Sequence, residues 1–367
     1  MTGSGRVGVG VIGAGVISAQ YLDNLTAFPD VEVLFVADLD LDRARAQAEK
    51  YGIPGSGSTE ELLAHDGIEI VVNLTIPAVH VEVAMLALAA GKNVWSEKPF
   101  ALDRESGSAL LREADARGLR VATAPDTFLG AGLQAGKRII DGGGVGTPLT
   151  ALALFQAPGP ESWHPAPGFL YAKGAGPLFD MGPYYVTALV QSLGPVARVS
   201  ATASTSRATR VIGSGPRAGE EFPVEVPTHV GALLEFEGGA SAQAVFSFQS
   251  SIRRTGFVEI AGTAGTLVLP DPNAFDGDLA LWRDGAAEAE TISTVSGTGR
   301  GTGVVELARA IRGGVVERAS GQQAFHVLDV MVSTVEAAER GEWVDVQSTM
   351  PLAEALPDGW DPRESTL

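Results

Sequence analysis

The alternation of short apolar runs with helical stretches over residues 1–124 restricts this chain more than any other feature. Residues 6–12, 31–37, 68–74 and 120–124 are apolar runs, and another leads into Ser96. A strand that is apolar on both faces belongs in a parallel sheet covered by helices on each side. Helical segments fill the gaps. Ser58-Thr59-Glu60-Glu61 has a capping-box pattern, residues 79–90 read as a helix, and Asp103 is placed to cap another through Arg117. Repeated strand–helix units predict a doubly wound α/β parallel sheet.

At 367 residues the length predicts two domains, 1–124 and 125–367. After residue 124 the pattern changes. Residues 130–141 are helical in period and stop at Gly142-Gly143-Gly144; residues 150–157 read as a strand. Residues 157–176 form a Pro- and Gly-rich loop carrying Trp163, His164, Tyr171 and Lys173. A helix then runs through Leu193, with Pro183 suited to its first turn. Val230, Ala232, Leu234 and Phe236 alternate, as do Ala242, Ala244, Phe246 and Phe248, which predicts a hairpin with one apolar face. Residues 255–261 and 265–269 extend a large, open, mainly antiparallel sheet, and helices at about 302–311 and 321–340 cover it, an α+β domain. The polar, Gly-rich stretch 204–221 reads as a mobile loop.

The first turn carries chemistry. An apolar strand, Gly13-Ala14-Gly15 and a helix opening at Val16 and Ile17 make the context of a dinucleotide fingerprint. Gly13 permits the tight turn and Gly15 lets backbone approach a pyrophosphate. The unpaired N–H groups of the helix then face the anion. Asp38, about 20 residues on, is placed to accept from the adenosine ribose hydroxyls, or to cap the following helix. Leu39-Asp40 brings no cation for a 2′-phosphate, which favours NAD, while Arg43 and Arg45 one turn later keep NADP open. Thr75, Pro77 and His80 follow the 68–74 run at the sheet edge that borders a cofactor in such folds; for His80 a capping or packing role is the competing reading. From Lys92 the chain runs Asn93-Val94-Trp95-Ser96-Glu97-Lys98-Pro99, so an acid and an ammonium group leave the sheet at the same edge. Partial desolvation there fits a lysine for proton transfer.

Composition sets outer limits. The formal charge of −18 disfavours nucleic acid and anionic membranes as partners. Cysteine is absent, which removes disulfide and thiolate chemistry. No apolar run reaches the roughly 18 residues of a membrane span, and no basic–apolar–small leader pattern opens the sequence; the expected location is cytoplasmic. His65, His229 and His326 lack ligand spacing, so no metal site is expected.

Three stretches in this order resemble the glucose–fructose oxidoreductase/inositol dehydrogenase (Gfo/Idh/MocA) family: Val9-Gly10-Val11-Ile12-Gly13-Ala14-Gly15, Gly91-Lys92-Asn93-Val94-Trp95-Ser96-Glu97-Lys98-Pro99, and Gly174-Ala175-Gly176-Pro177-Leu178-Phe179-Asp180-Met181-Gly182-Pro183-Tyr184. The resemblance implies a Rossmann domain joined to an open-sheet domain that forms dimers or tetramers. It also implies NAD(P)-dependent oxidation of a secondary hydroxyl on a sugar, polyol or cyclitol. By resemblance Lys98 is the catalytic lysine, Asp180 orients substrate, and Tyr184 stands where many members have a histidine proton acceptor. Glu97 secures the lysine or the nicotinamide ribose. Asp126 and Thr127 face the cleft in the family, and the absence of an arginine beside them speaks against a strongly anionic substrate. Trp163 offers an apolar face for a sugar ring, or else anchors its loop.

A phenol's ordinary pKa of about 10 is high for a base at neutral pH, and a neighbouring ammonium would lower it. Asp180 and Tyr184 are four apart and share a helix face if the helix starts early enough; His164 is the rival base. Two alternatives stay open. One is a redox-neutral NAD-dependent lyase or glycosidase of the same family, and the other is a non-enzymatic NAD(P)-binding sensor or repressor.

Overall fold

The computed structural model describes residues 5–295 and 297–367. By packing, the chain divides into two units. The first holds residues up to 130 together with 296–325 and 353–367, and the second holds 131–295 and 326–352. Sequence placed one cut after residue 124; two later segments pack with the N-terminal unit instead.

The first unit begins with β1 (Val7–Ile12), α1 (Val16–Leu25), β2 (Val31–Ala37), α2 (Leu41–Tyr51), β3 (Gly55–Gly57) and α3 (Thr59–Leu63). It continues through β4 (Ile70–Asn73), α4 (His80–Ala89), β5 (Asn93–Ser96), α5 (Arg104–Arg117) and β6 (Val121–Thr123). Among the described residues the strands form one six-stranded sheet in the order β3-β2-β1-β4-β5-β6, with every ladder parallel. All six residues of β1 and all four of β4 are buried, the result of cover on both faces. α1 buries Ser18, Tyr21, Leu22 and Leu25, one stripe at helical spacing. The sequence-predicted caps form: Ser58 and Glu61 close a capping box, and Asp103 accepts from Ser106 N at 2.7 Å. Strand order reverses between β1 and β4, and ligands of open α/β sheets bind at such a switch point, beyond the carboxyl ends of the strands.

The second unit opens with α6 (Ala131–Asp141), β7 (Pro148–Gln156) and α7 (Gly176–Leu193). Strands β8 (Val196–Ser204), β9 (Thr209–Val211), β10 (Glu221–Pro223), β11 (His229–Phe236), β12 (Ser241–Ser247) and β13 (Arg254–Gly262) follow, then β14 (Gly265–Leu269), β15 (Leu279–Arg283) and β16 (Glu290–Ile292). Helix α8 (Thr302–Gly313) belongs to the first unit, α9 (Gly321–Arg340) runs from the first into the second, and β17 (Val344–Asp345) belongs to the second. Among the described residues a nine-stranded sheet has the order β16-β15-β14-β13-β7-β12-β11-β8-β17. It is antiparallel except where β7 and β12 pair. The expected hairpin is β11–β12, with Val230, Ala232, Leu234, Ala242, Ala244 and Phe246 buried on one face.

Two local expectations are corrected. Pro177, not Pro183, occupies the first turn of α7, which starts at Gly176 and carries Pro183 in its interior. The stretch 204–221, expected to be a loop throughout, is one only in part. Within it β9 pairs with β10, which begins at its end, and Ile212 and Phe222 pack with Tyr171 and Phe248 in a buried cluster.

Candidate active site

Gly13 has φ of +102°, and a Cβ there would lie 2.7 Å from Leu74 O, so only glycine fits this turn. Gly15, the N-cap of α1, has nothing within 4 Å of where a Cβ would stand, leaving the helix start open to a ligand. Val16 is 94% exposed, and the first-turn amides of Val16 and Ile17 have no intrahelical acceptor. Asp38 Oδ2 accepts from Ala14 N at 2.7 Å and Oδ1 from Asp40 N at 2.9 Å. The cap of α2 is Asp40, which accepts from Arg43 N. Asp38 therefore braces the glycine turn and keeps unused lone pairs. Arg43 lies 3.8 Å from Asp38 and 3.4 Å from Asp40. Leu39 is fully exposed beside this edge. An open glycine turn, free helix amides and a carboxylate at the end of β2 fit a dinucleotide.

Past β4, Thr75 Oγ1 donates to Asn73 Oδ1 at 2.6 Å, and Pro77 is exposed. His80, expected at the cofactor, is buried, with Nδ1 2.9 Å from Pro99 O and Nε2 3.0 Å from Thr75 O. Its ring ties together the segments that leave β4 and β5. Beyond β5, Glu97 Oε2 accepts from the backbone N–H of Lys98 at 3.0 Å, and Glu97 Oε1 accepts from Tyr21 OH at 2.8 Å.

Asp126 and Thr127, expected to face the cleft, are both buried within the first unit. Asp126 Oδ2 accepts from Gly301 N and Gly303 N at 2.9 and 3.2 Å, at the start of α8. Arg300 Nη1 stands 3.5 Å from Asp126 Oδ1. Burial raises the Asp126 carboxyl above the ordinary range, against the pull of Arg300 and the two amides. The Thr127 hydroxyl is buried without a partner among the described residues.

In the second unit α7 carries both Asp180 and Tyr184, so the early helix start that their spacing required is present. Asp180 lines a cavity of about 330 Å³, with Trp163, Met181 and Tyr185 among its walls. Arg253, Thr255, Asp271 and Asn273 add polar groups from the β12–β13 connection, β13 and the segment after β14. Arg253 makes no ion pair with a described residue, although two carboxylates line the same cavity. Trp163 is 61% exposed, and its ring meets His164 edge-on at 5.5 Å. His164 Nδ1 accepts from Ala166 N at 3.0 Å. Tyr184 is 6% exposed. Tyr185 OH accepts from Gly256 N at 2.6 Å, and burial pushes that phenol well up.

Sequence reasoning missed Tyr185, Arg253, Asp271 and Asn273. Only Tyr185 had a signal, its place beside Tyr184. Among the described residues no group of three or more His, Asp or Glu could hold a metal ion. No described helix is long and apolar enough to cross a membrane.

The glycine turn, the parallel sheet and its switch point define an NAD-binding Rossmann unit. Residues 7–124 match the model of the Gfo/Idh/MocA oxidoreductase family, NAD-binding Rossmann fold, and residues 133–268 match its C-terminal domain. The chain belongs to the Gfo/Idh/MocA oxidoreductase family. It is 30% identical over 349 residues to an uncharacterized oxidoreductase of Rhizobium meliloti, covering 92% of this chain and 98% of that one. It is 28% identical over 269 residues to trans-1,2-dihydrobenzene-1,2-diol dehydrogenase of Sus scrofa, covering 72% and 74% of the two chains. Its fold is similar to that of levoglucosan dehydrogenase solved with NADH and L-sorbose. There the TM-score is 0.83 at 22% identity, with 94% of this chain and 100% of the other covered.

Proposed function

We propose that this oxidoreductase is an NAD-dependent dehydrogenase that takes a hydride from a secondary hydroxyl of a sugar, polyol or cyclitol. The observation that carries the reading is the cavity at Asp180. It is lined by the indole of Trp163 together with Arg253, Thr255, Asp271 and Asn273, an apolar ring with many hydrogen-bonding groups. A polyhydroxylated ring asks for both, and about 330 Å³ lies at the small end of the range for small-molecule sites.

NAD, when bound, supplies the hydride acceptor. Gly13, Gly15, Val16 and Ile17 hold its pyrophosphate, and Asp38 and Leu39 the adenosine end. Thr75, Pro77 and Glu97 border the rest, and His80 supports them from behind. Tyr184 accepts the hydroxyl proton, Lys98 hydrogen-bonds the reacting oxygen, and Asp180 orients it. Trp163 covers one face of the ring, and His164 holds Trp163. Two carboxylates beside a single guanidinium favour a neutral substrate over an anionic one. Assembly through the outer face of the large sheet, where Leu233 and Trp282 are half-exposed, belongs to the same proposal. Light scattering after gel filtration checks it.

The test is NADH formation, followed by absorbance, across a panel of sugars, inositols and dihydrodiols with NAD and with NADP. Turnover with NAD on at least one neutral polyol, abolished in Lys98→Met, is the expected result. Substrate loss without net NADH would instead point to redox-neutral elimination or hydrolysis.

A further inference from the structure

Behind Lys98 lies a chain of buried hydrogen bonds that begins on the dinucleotide-binding helix. Tyr21 of α1 is wholly buried, a position where phenylalanine would pack as well as tyrosine. A buried hydroxyl is costly unless it is bonded, and this one is bonded twice. It accepts from Trp95 Nε1 at 3.2 Å and donates to Glu97 Oε1 at 2.8 Å. The direction is fixed by chemistry: an indole N–H only donates, so the phenolic proton is left for the carboxylate. The second oxygen, Glu97 Oε2, takes the N–H of Lys98 itself at 3.0 Å. The backbone of the same strand end is held independently, since Glu97 N donates to Asn73 O at 2.9 Å.

We propose that Tyr21 is a positioning residue: through Glu97 it fixes the backbone from which the Lys98 side chain projects, and so links α1 to the proposed catalytic lysine. The inference rests on the function assigned above only for the lysine's role; the link itself is a property of the first unit. Tyr21 sits in the helix whose first turn is to receive the pyrophosphate, so one rigid element serves both the cofactor and the lysine. α8 supports it from the far side of Trp95, where a Cβ on Gly303 would overlap the indole.

The experiment compares Tyr21→Phe, Glu97→Gln and Glu97→Ala with the full-length wild type, using amide hydrogen exchange and steady-state kinetics. In Tyr21→Phe the Lys98 amide is expected to exchange about tenfold faster while Val94 within β5 is unchanged. kcat falls about tenfold or more, as for a misplaced catalytic group, and NADH affinity by fluorescence stays within about twofold. Glutamine at 97 can still accept from Lys98, so Glu97→Gln recovers at least half of what Glu97→Ala loses. Unchanged Lys98 exchange in Tyr21→Phe would overturn the proposal, as would a loss confined to NADH affinity or Glu97→Gln as impaired as Glu97→Ala. If the wild type makes NADH from no substrate, the function assigned above fails, and the exchange measurement still decides whether Tyr21 holds Lys98.

Discussion

Asp126 holds the amide of Gly303 at 3.2 Å across 177 residues of sequence, and with Gly301 it closes the N-terminus of α8. A carboxylate at a helix N-terminus satisfies orphan amides and meets the positive end of the helix dipole. Here it also pins a late segment to the N-terminal unit. Asp126→Ala leaves two buried amides and Arg300 without it, and is expected to destabilise the protein by about 3 kcal/mol. Asp126→Asn keeps one acceptor and removes the charge that burial penalises, so about 1 kcal/mol is expected. Chemical denaturation measures both. Polyol KM should change little in the variants that fold, because Asp126 is buried within the first unit.

Asp38 is the proposed determinant of cofactor preference. Its carboxylate braces Ala14 N and keeps Arg43 close by. Asp38→Ala removes the proposed ribose acceptor and leaves Arg43 less neutralised, and a guanidinium suits a 2′-phosphate. kcat/KM for NAD is expected to fall about tenfold or more, with a smaller fall or a gain for NADP. Equal losses with both cofactors would mean that Asp38 only shapes the glycine turn.

The βα repeats of the first unit, up to residue 124, were legible in the sequence because each of their signals is local. Strands covered on both faces read as unbroken apolar runs, and the Gly13 turn, the Ser58 box and the Asp103 cap each span a few residues. The β11–β12 hairpin was legible for a related reason, since a period of two survives wherever one sheet face is buried. The partners of Asp126 were not legible, because Gly301, Gly303 and Arg300 lie in a segment whose packing no local pattern announces. Arg253, Asp271 and Asn273 sit at strand ends and in connections, where nothing periodic marks a side chain that lines a cavity. The ribbon 209–223 holds its place through a few apolar residues, too sparse for periodicity, packed on Tyr171 and Phe248.

His326 is expected to make stability fall on mild acidification. It is wholly buried in the second unit, where Nε2 accepts from Val196 N at 3.0 Å and Nδ1 faces Ser348 O at 3.1 Å. That pattern needs the neutral ring, and burial lowers its pKa below the ordinary value. The unfolded chain therefore takes up the proton first, so stability is full above about pH 6.5 and falls as pH drops through that value. The melting temperature should decline from pH 7.5 to 5.5, and His326→Gln should flatten the decline. An equal slope in the variant would assign the pH dependence to other groups.

Arg253 and Trp163 should separate in their effects on binding. Trp163→Ala removes a half-exposed indole from the cavity wall and is expected to raise polyol KM about tenfold with a smaller change in kcat. Arg253→Gln retains a donor, so a neutral polyol should lose no more than about threefold. A loss of about a hundredfold on substrates bearing a carboxylate, with neutral ones spared, would mean that Arg253 reads an anion.

Adjacent tyrosines provide the sharpest test of the proton acceptor. Tyr185 lines the cavity, yet its oxygen already accepts the Gly256 amide and burial raises its pKa further above the phenol value. A phenol oxygen that already takes a backbone N–H has less capacity left to receive a substrate proton. Tyr185→Phe should therefore cost about 1 kcal/mol of stability through the lost bond while kcat stays within about threefold. Tyr184→Phe is expected to lower kcat by about a hundredfold or more, with substrate KM little altered, since proton transfer and not binding is removed. His164→Gln, which removes the rival base but leaves Trp163 in place, should resemble Tyr185→Phe. The reverse order, with His164→Gln crippled and Tyr184→Phe active, would move the proton acceptor to the loop.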